Sequence, residues 1–384
     1  VRIARLVALL AVATLLPFAS KGANGSLADS GAPCHWRAAA VEDPHPHLFD
    51  DFNSVTATAS GKAWAVGEYY TGHESGPNGA FIEAWTGRRW ELVGRPSPNA
   101  TLWSVSASGP DNAWAAGDHL LEHWNGHGWR KVATAPVHGA LLWGVATRGH
   151  EAWLVGERWR GRYQDGETLI ERWNGNGWRV MSTPNPSTGG GRSDAILEAV
   201  GVRSASDAWA VGYSLTGRHM LESRTLIEHW DGRRWRIVPS PSARASDGVL
   251  YDILFGVTAV HAGDAWAVGT YESEAGGYGG GGDHALVLHW NGRHWSRADL
   301  PRIRERSFLH GILVRAGTAW AVGDRGLPPH RHRALVERWD GTRWTVARSP
   351  SGFDLAAASA PAHGTAWAVG AVGRRPLAAE LACS

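Results

Sequence analysis

All seven tyrosines, Tyr69, Tyr70, Tyr163, Tyr213, Tyr251, Tyr271 and Tyr278, and three tryptophans, Trp103, Trp143 and Trp159, stand outside the motif that repeats along this chain. Rings kept at a solvent-facing edge are unusual without a partner. They suit sugars or other polymers, whose CH faces stack on rings while hydroxyls find Arg, Asp and Glu. The plainer alternative is that they pack connecting segments onto the body. Histidine offers other chemistry. Pro44-His-Pro-His47, Pro329-His-Arg-His332, His73, His138, His219 and His284 all fall in irregular stretches. No His or Cys pair has metal-ligand spacing, so these read as solvated and no metal site is expected. His310, Glu198 and Asp252 are the residues an acid–base mechanism would use. Glu83, Glu122, Glu171, Glu228 and Glu337 share one position, each two residues before a Trp. Such regularity points to a structural role first. Nucleophile-elbow, Walker and His-Glu-x-x-His motifs are absent. Gly276-Gly-Tyr-Gly-Gly-Gly-Gly282 has no strand before it and helix after it, so it reads as a flexible loop and not a phosphate cradle. No cofactor is implied.

What must position these groups is a repeat. Asp207-Ala-Trp-Ala-Val-Gly212 recurs with small changes around Trp64, Trp114, Trp153, Trp209, Trp266, Trp320 and Trp367, at spacings of 50, 39, 56, 57, 54 and 47 residues. A period near fifty is a repeat architecture. Each unit holds four short apolar runs, as in Leu197–Arg203, Asp207–Gly212, Leu226–Trp230 and Arg234–Val238. Runs of this length, rich in Val, Ile and Trp and bounded by Gly, Pro, Asp and Asn, are strands; we name them a to d. Four antiparallel strands repeated radially form a β-propeller blade. The sequence therefore predicts an all-β, seven-bladed propeller. Outside the three off-motif residues, every one of the 23 Trp lies in strand b, c or d. These are expected to fill the wedge between blades, each burying much apolar area. In strand a, nearer the axis, one position is always small: Ser54, Ser104, Gly144, Ala199, Gly256, Gly311 and Ala356.

The turns divide the molecule into two faces. The a–b and c–d turns are short, the latter carrying Asn125-Gly126, Asn174-Gly175, Asp231-Gly232, Asn291-Gly292 or Asp340-Gly341. Such pairs favour tight hairpins with φ > 0 at both central residues. The b–c and d–a connections vary in length and carry the Tyr residues. Function on a rigid scaffold belongs to its variable loops, which selects the b–c/d–a face.

The motifs "DAWAVG" and "LIEHWNG..W..VPSP" resemble the Trp-rich propeller repeats of secreted actinobacterial proteins, across residues 35–383. The chain is similar, more loosely, to kelch and galactose-oxidase propellers. The resemblance implies the fold and no particular activity. The sialidase Asp box is not reproduced, and no copper site matches that of galactose oxidase. Glu followed by Trp-x-Gly-x-x-Trp loosely resembles fucose-binding propeller lectins.

Composition and ends complete the expectation. The net charge is +2, and the basic residues are Arg except at positions 21, 62 and 131. They are scattered and balanced by acids, so no nucleic-acid stripe emerges. Val1-Arg-Ile-Ala-Arg5 followed by apolar Leu6–Phe18 reads as a secretory signal peptide, with cleavage between Ser20 and Ser30. Residues 1–30 are thus leader and short linker, and 31–384 one domain. Gly31-Ala-Pro-Cys34 is a poor lipobox, and no other run reaches membrane length. The last repeat lacks strand d, whereas His35-Trp-Arg-Ala-Ala39 is an orphan strand d at the other end. The first strand should complete the last blade, removing open edges. Cys34 and Cys383 would then meet across the missing turn as a disulfide. The expectation is an exported monomer that binds an extracellular polymer or protein through its variable face. An enzyme working in the central funnel and a structural interaction platform are the alternatives.

Overall fold

The computed structural model describes residues 34–71, 78–94, 97–160, 165–186, 194–216, 222–242, 249–273, 282–327, 330–349 and 354–383. The expected leader, Tyr163 and Tyr278 lie outside them. Seven antiparallel sheets form a ring. Strand a, the innermost, is Phe49–Ala57, Leu102–Gly109, Ala140–Arg148, Asp194–Ser204, Val249–His261, Arg306–Arg315 and Asp354–Ser359 in blades one to seven. Strand b follows as Ala63–Tyr70, Asn112–Gly117, Glu151–Arg160, Asp207–Thr216, Asp264–Ser273, Thr318–Leu327 and Trp367–Val372. The ring closes as the repeat phase predicts. Cys34–Ala38 pairs with Arg375–Cys383 in the last blade, Cys34 opposite Cys383, and the two are disulfide-bonded. Among the described residues no helix is long and apolar enough to cross a membrane.

Trp side chains weld each blade to the next. The strand-b indole is 0–5% exposed in every blade. Trp209 sits 5.0 Å from Trp290 and 5.1 Å from Trp295 of the following blade, the latter contact nearly perpendicular. The same trio recurs as Trp114–Trp173–Trp178 and Trp153–Trp230–Trp235. Trp367 of the last blade packs on Trp85 and Trp90 of the first, which closes the circle. Edge-to-face indoles gain about 0.5–1.5 kcal/mol per pair beyond the area they bury.

The Asx-Gly turns differ from expectation. Trp230 pairs with Trp235, so four residues form the loop, and only the glycine takes positive φ, at 89° for Gly232. Asp231 instead accepts hydrogen bonds from the amides of Arg233 and Arg234 through Oδ1. The same side-chain turn is built by Asn174, Asn291 and Asp340. The Asx side chain replaces the second left-handed residue that a two-residue hairpin would need.

Four of the five strand-c glutamates are buried, and two of these anchor the connection that arrives beside them. Glu83, Glu171, Glu228 and Glu337 are fully buried. Glu171 accepts from the Ala135 amide at 2.9 Å, and Glu228 from the Thr183 hydroxyl at 2.7 Å. Each donor lies in the connection arriving from the preceding blade. Burial pushes Glu171 up to about 7, Glu228 and Glu337 to about 8 and Glu83 to about 9. None of them lines the central channel.

Candidate ligand-binding site

A channel of about 1470 Å³ runs along the ring axis. Its geometry follows from one glycine per repeat. The Gly of Trp-Ala-Val-Gly pairs with an apolar strand-a residue: Phe52 with Gly67, Leu197 with Gly212, Leu309 with Gly323. A Cβ on this Gly would lie 1.8–2.0 Å from a carbonyl oxygen of strand a, or of the residue just before it in blade two, in all seven blades. Only glycine lets strand a press this close. Immediately after the pair, the register slips by one residue in every strand a, a β-bulge. Bulges re-aim a side chain out of the ladder. The seven bulged residues are Asn53, Trp103, Trp143, Glu198, Phe255, His310 and Ala356, and all seven line the channel.

The register also corrects one expectation. The small residue after each bulge is Ser54, Ser104, Gly144, Ala199, Gly256, Gly311 and, in the last blade, Ala357 in place of Ala356. These residues sit where adjacent blades meet. A Cβ on Gly311 would lie 2.9 Å from the Cα of Ala357.

Around this ring the lining is aromatic and acidic. Strand a begins, and strand b ends, at the b–c/d–a face. That mouth carries Phe49, Asp51, Glu68, Tyr70, Phe308, Asp324 and Asp354. The sole Arg among the described lining residues, Arg148, belongs to the opposite mouth; Arg374 lies at the rim, 4.6 Å over the Phe49 ring. Phe49 and Tyr70 stack at 5.2 Å, and Trp103 and Trp143 lie 5.7 Å apart. His310 is flanked by Phe255 at 5.4 Å and Phe308 at 6.3 Å.

Acids just after the motif glycine hold the bulged polar groups. Trp103 Nε1 donates to Asp118 at 3.0 Å. His310 Nε2 lies 2.9 Å from Asp324 Oδ1. Glu157 accepts from Trp159 Nε1 at 3.0 Å, and burial pushes it up to about 7, with the indole bonds of Trp159 and Trp143 pulling it back. The Tyr70 hydroxyl donates to Asp51 at 3.0 Å. Burial raises Asp51 to about 6 despite that bond, and burial beside Asp51 raises the phenol of Tyr70 as well.

Of the ring-bearing residues selected from sequence, Tyr70, Trp103 and Trp143 come together on the channel. Tyr69 alternates with Tyr70 on the strand and stacks on His45 at 4.0 Å. Tyr213 is buried against Ile196 and Ile253, behind Trp143. Tyr271 lies under Arg297, 3.7 Å from its guanidinium carbon. Trp159 is half-buried over Glu157. Tyr251 falls in strand a, and its side chain lies outside the described residues. Of the acid–base trio, His310 and Glu198 line the channel, whereas Asp252 is buried away from it. Asn53, Phe255 and the acids Asp51, Glu68, Asp324 and Asp354 were not selected from sequence. Their signal was positional: Asn53 and Phe255 stand one residue before the small strand-a residue, Glu68 and Asp324 one after the motif glycine, and Asp51 and Asp354 one before the apolar residue that pairs with that glycine.

No family model and no curated protein matches this chain. Many solved structures share its architecture, and two illustrate it. "YCF48 bound to D1 peptide" superposes with a TM-score of 0.56 at 12% identity, covering 91% of this chain and 97% of that one. The second, "Structure of a new family of Polysaccharide lyase PL25-Ulvanlyase bound to -[GlcA(1-4)Rha3S]-", also reaches a TM-score of 0.56 at 12% identity, covering 94% and 96%. At such identity the likeness is one of fold: this chain is a seven-bladed β-propeller.

Proposed function

We propose that the protein is an exported monomeric binding module that takes an extracellular polymer, a glycan chain foremost, in the channel mouth on the b–c/d–a face. Carrying this reading is the ring of bulged residues, which sets aromatic faces beside hydrogen-bonding groups in a preformed concavity. Ligand sites combine apolar walls with a few placed polar groups in this way. Carboxylates at the mouth hydrogen-bond hydroxyls and repel anions, so neutral or amino sugars fit better than uronates. Tyr70, Trp103 and Trp143 are the proposed contacts from the sequence-selected set. Two of the similar structures bind a peptide and a polysaccharide, which supports a chain-like partner.

The second reading is a hydrolase or lyase, favoured by the His310–Asp324 pair. A carboxylate that orients an imidazole equips it for proton transfer. One experiment addresses both. Native electrophoresis through gels holding neutral, cationic or anionic polysaccharide reads binding, and the same mixtures are assayed for new reducing or unsaturated ends. Retardation by neutral or amino-sugar polymers without new ends is expected. Retardation only by anionic polymer, or none at all, would overturn the binding reading; new ends lost in His310→Ala would establish the enzyme.

A further inference from the structure

The blade order fixes which bulged residues face one another. With seven blades in sequence order around the ring, the junction of blades two and three lies opposite blade six. The paired indoles of Trp103 and Trp143 therefore look across the channel at His310. By the same order, Glu198 of blade four looks across at the junction of blades seven and one, where the bulged residues are Ala356 and Asn53. The ring is lopsided. One arc is a broad indole platform, the opposite arc carries a hydrogen-bonding imidazole, and the seventh-blade position is almost empty. A structural ring would have no need of this asymmetry, because the positions that pack blades together are near-identical in every repeat. The bulged position is the one that varies from amide to indole, carboxylate, phenyl, imidazole and methyl.

We infer that the bulged ring is the specificity-determining element of the site, and that it seats one uncharged pyranose unit with its CH face on Trp103 and Trp143. The unit's hydroxyl edge reaches Glu198 and His310, and the rest of the chain leaves through the gap over Ala356. This rests on the proposal that the channel mouth binds a glycan, and it adds orientation and a way out. A bulge makes the idea physically economical. The bulged side chain stands outside the ladder, so its type can change without disturbing the strand pairing that the motif glycine protects. Trp is already accommodated at this position in blades two and three, so the same backbone in blade seven can carry it.

The decisive variants are Ala356→Trp, which fills the exit without removing any contact, and Trp103→Ala, which removes half the platform. Trp85→Ala, on the opposite face, is the control. Each is run beside wild type through native gels containing hydroxyethylcellulose or glycol chitin, with the unfolding midpoint measured separately. Both channel variants are expected to weaken retardation at least about tenfold in apparent Kd, the loss of a buried aromatic contact or its steric equivalent, at unchanged midpoint. Wild-type retardation that survives in both variants would overturn the ring assignment and leave the polymer to bind at the outer rim of the channel mouth. A wild type that neither polymer retards would sink both.

Discussion

Replacing Glu337 by Gln tests whether buried acids set the stability of this propeller. Glu337 is fully buried, and neither carboxyl oxygen has a hydrogen-bond partner among the described residues. Burial alone raises it from 4.5 to about 8. A folded-state value above the unfolded one means that the native chain holds this proton more tightly. Its stabilising contribution is therefore complete below pH 4.5 and is lost as pH climbs through 8. At 1.36 kcal/mol per unit, the shift corresponds to roughly 4–5 kcal/mol, an upper bound because an ionised Glu337 can draw in water. Glu337→Gln keeps the shape and cannot ionise. It should cost no more than about 1–2 kcal/mol at pH 5, where the buried amide needs partners. At pH 9 it should be more stable than wild type. Urea unfolding at pH 5, 7 and 9, followed by tryptophan fluorescence, gives the two curves. Parallel loss of stability in both proteins would show that Glu337 does not carry the pH dependence, and so would a wild type that is firmer at pH 9 than at pH 5.

Gly212→Ala places a Cβ 2.0 Å from the Ile196 carbonyl, and should cost about 3 kcal/mol, the upper end of overpacking; Gly128→Ala, where a Cβ meets nothing within 4 Å, should be neutral by thermal melting. Trp209→Ala removes an indole that is 2% exposed and should cost about 3–5 kcal/mol, whereas half-buried Trp159→Ala should cost far less; equal shifts in midpoint would contradict the assignment. Reducing Cys34–Cys383, which closes a separation of 349 residues, should lower stability by about 5–6 kcal/mol in the chain-entropy treatment, read as a drop in denaturation midpoint with reductant.

Particular residues show how much of this was legible in sequence. The Trp periods gave blade number and inter-blade packing because every wedge needs the same large flat groups. The orphan Trp36 strand and the Cys spacing gave the ring closure. The difference between the two faces was legible from loop variability, but the residues that line the channel were not, because exposure cannot be read where strands alternate: Tyr69 and Tyr70 are neighbours and face opposite ways. Bulges were the missing step. A one-residue slip is invisible to periodicity, yet it moved Ala356 onto the channel and Ala357 into the blade contact. The glycine after Trp-Ala-Val held that information, since nothing about its φ required glycine and only a close carbonyl does.

Residue-level hydroxyl-radical footprinting of the protein, with and without cellohexaose and chitohexaose, reads directly whether the channel rings hold a glycan. Protection is expected at Trp103, Trp143, Tyr70 and Phe255, with Trp85, Trp124 and Trp339 on the opposite face unchanged. Protection of those opposite-face indoles while the channel rings stay reactive would contradict binding in the channel.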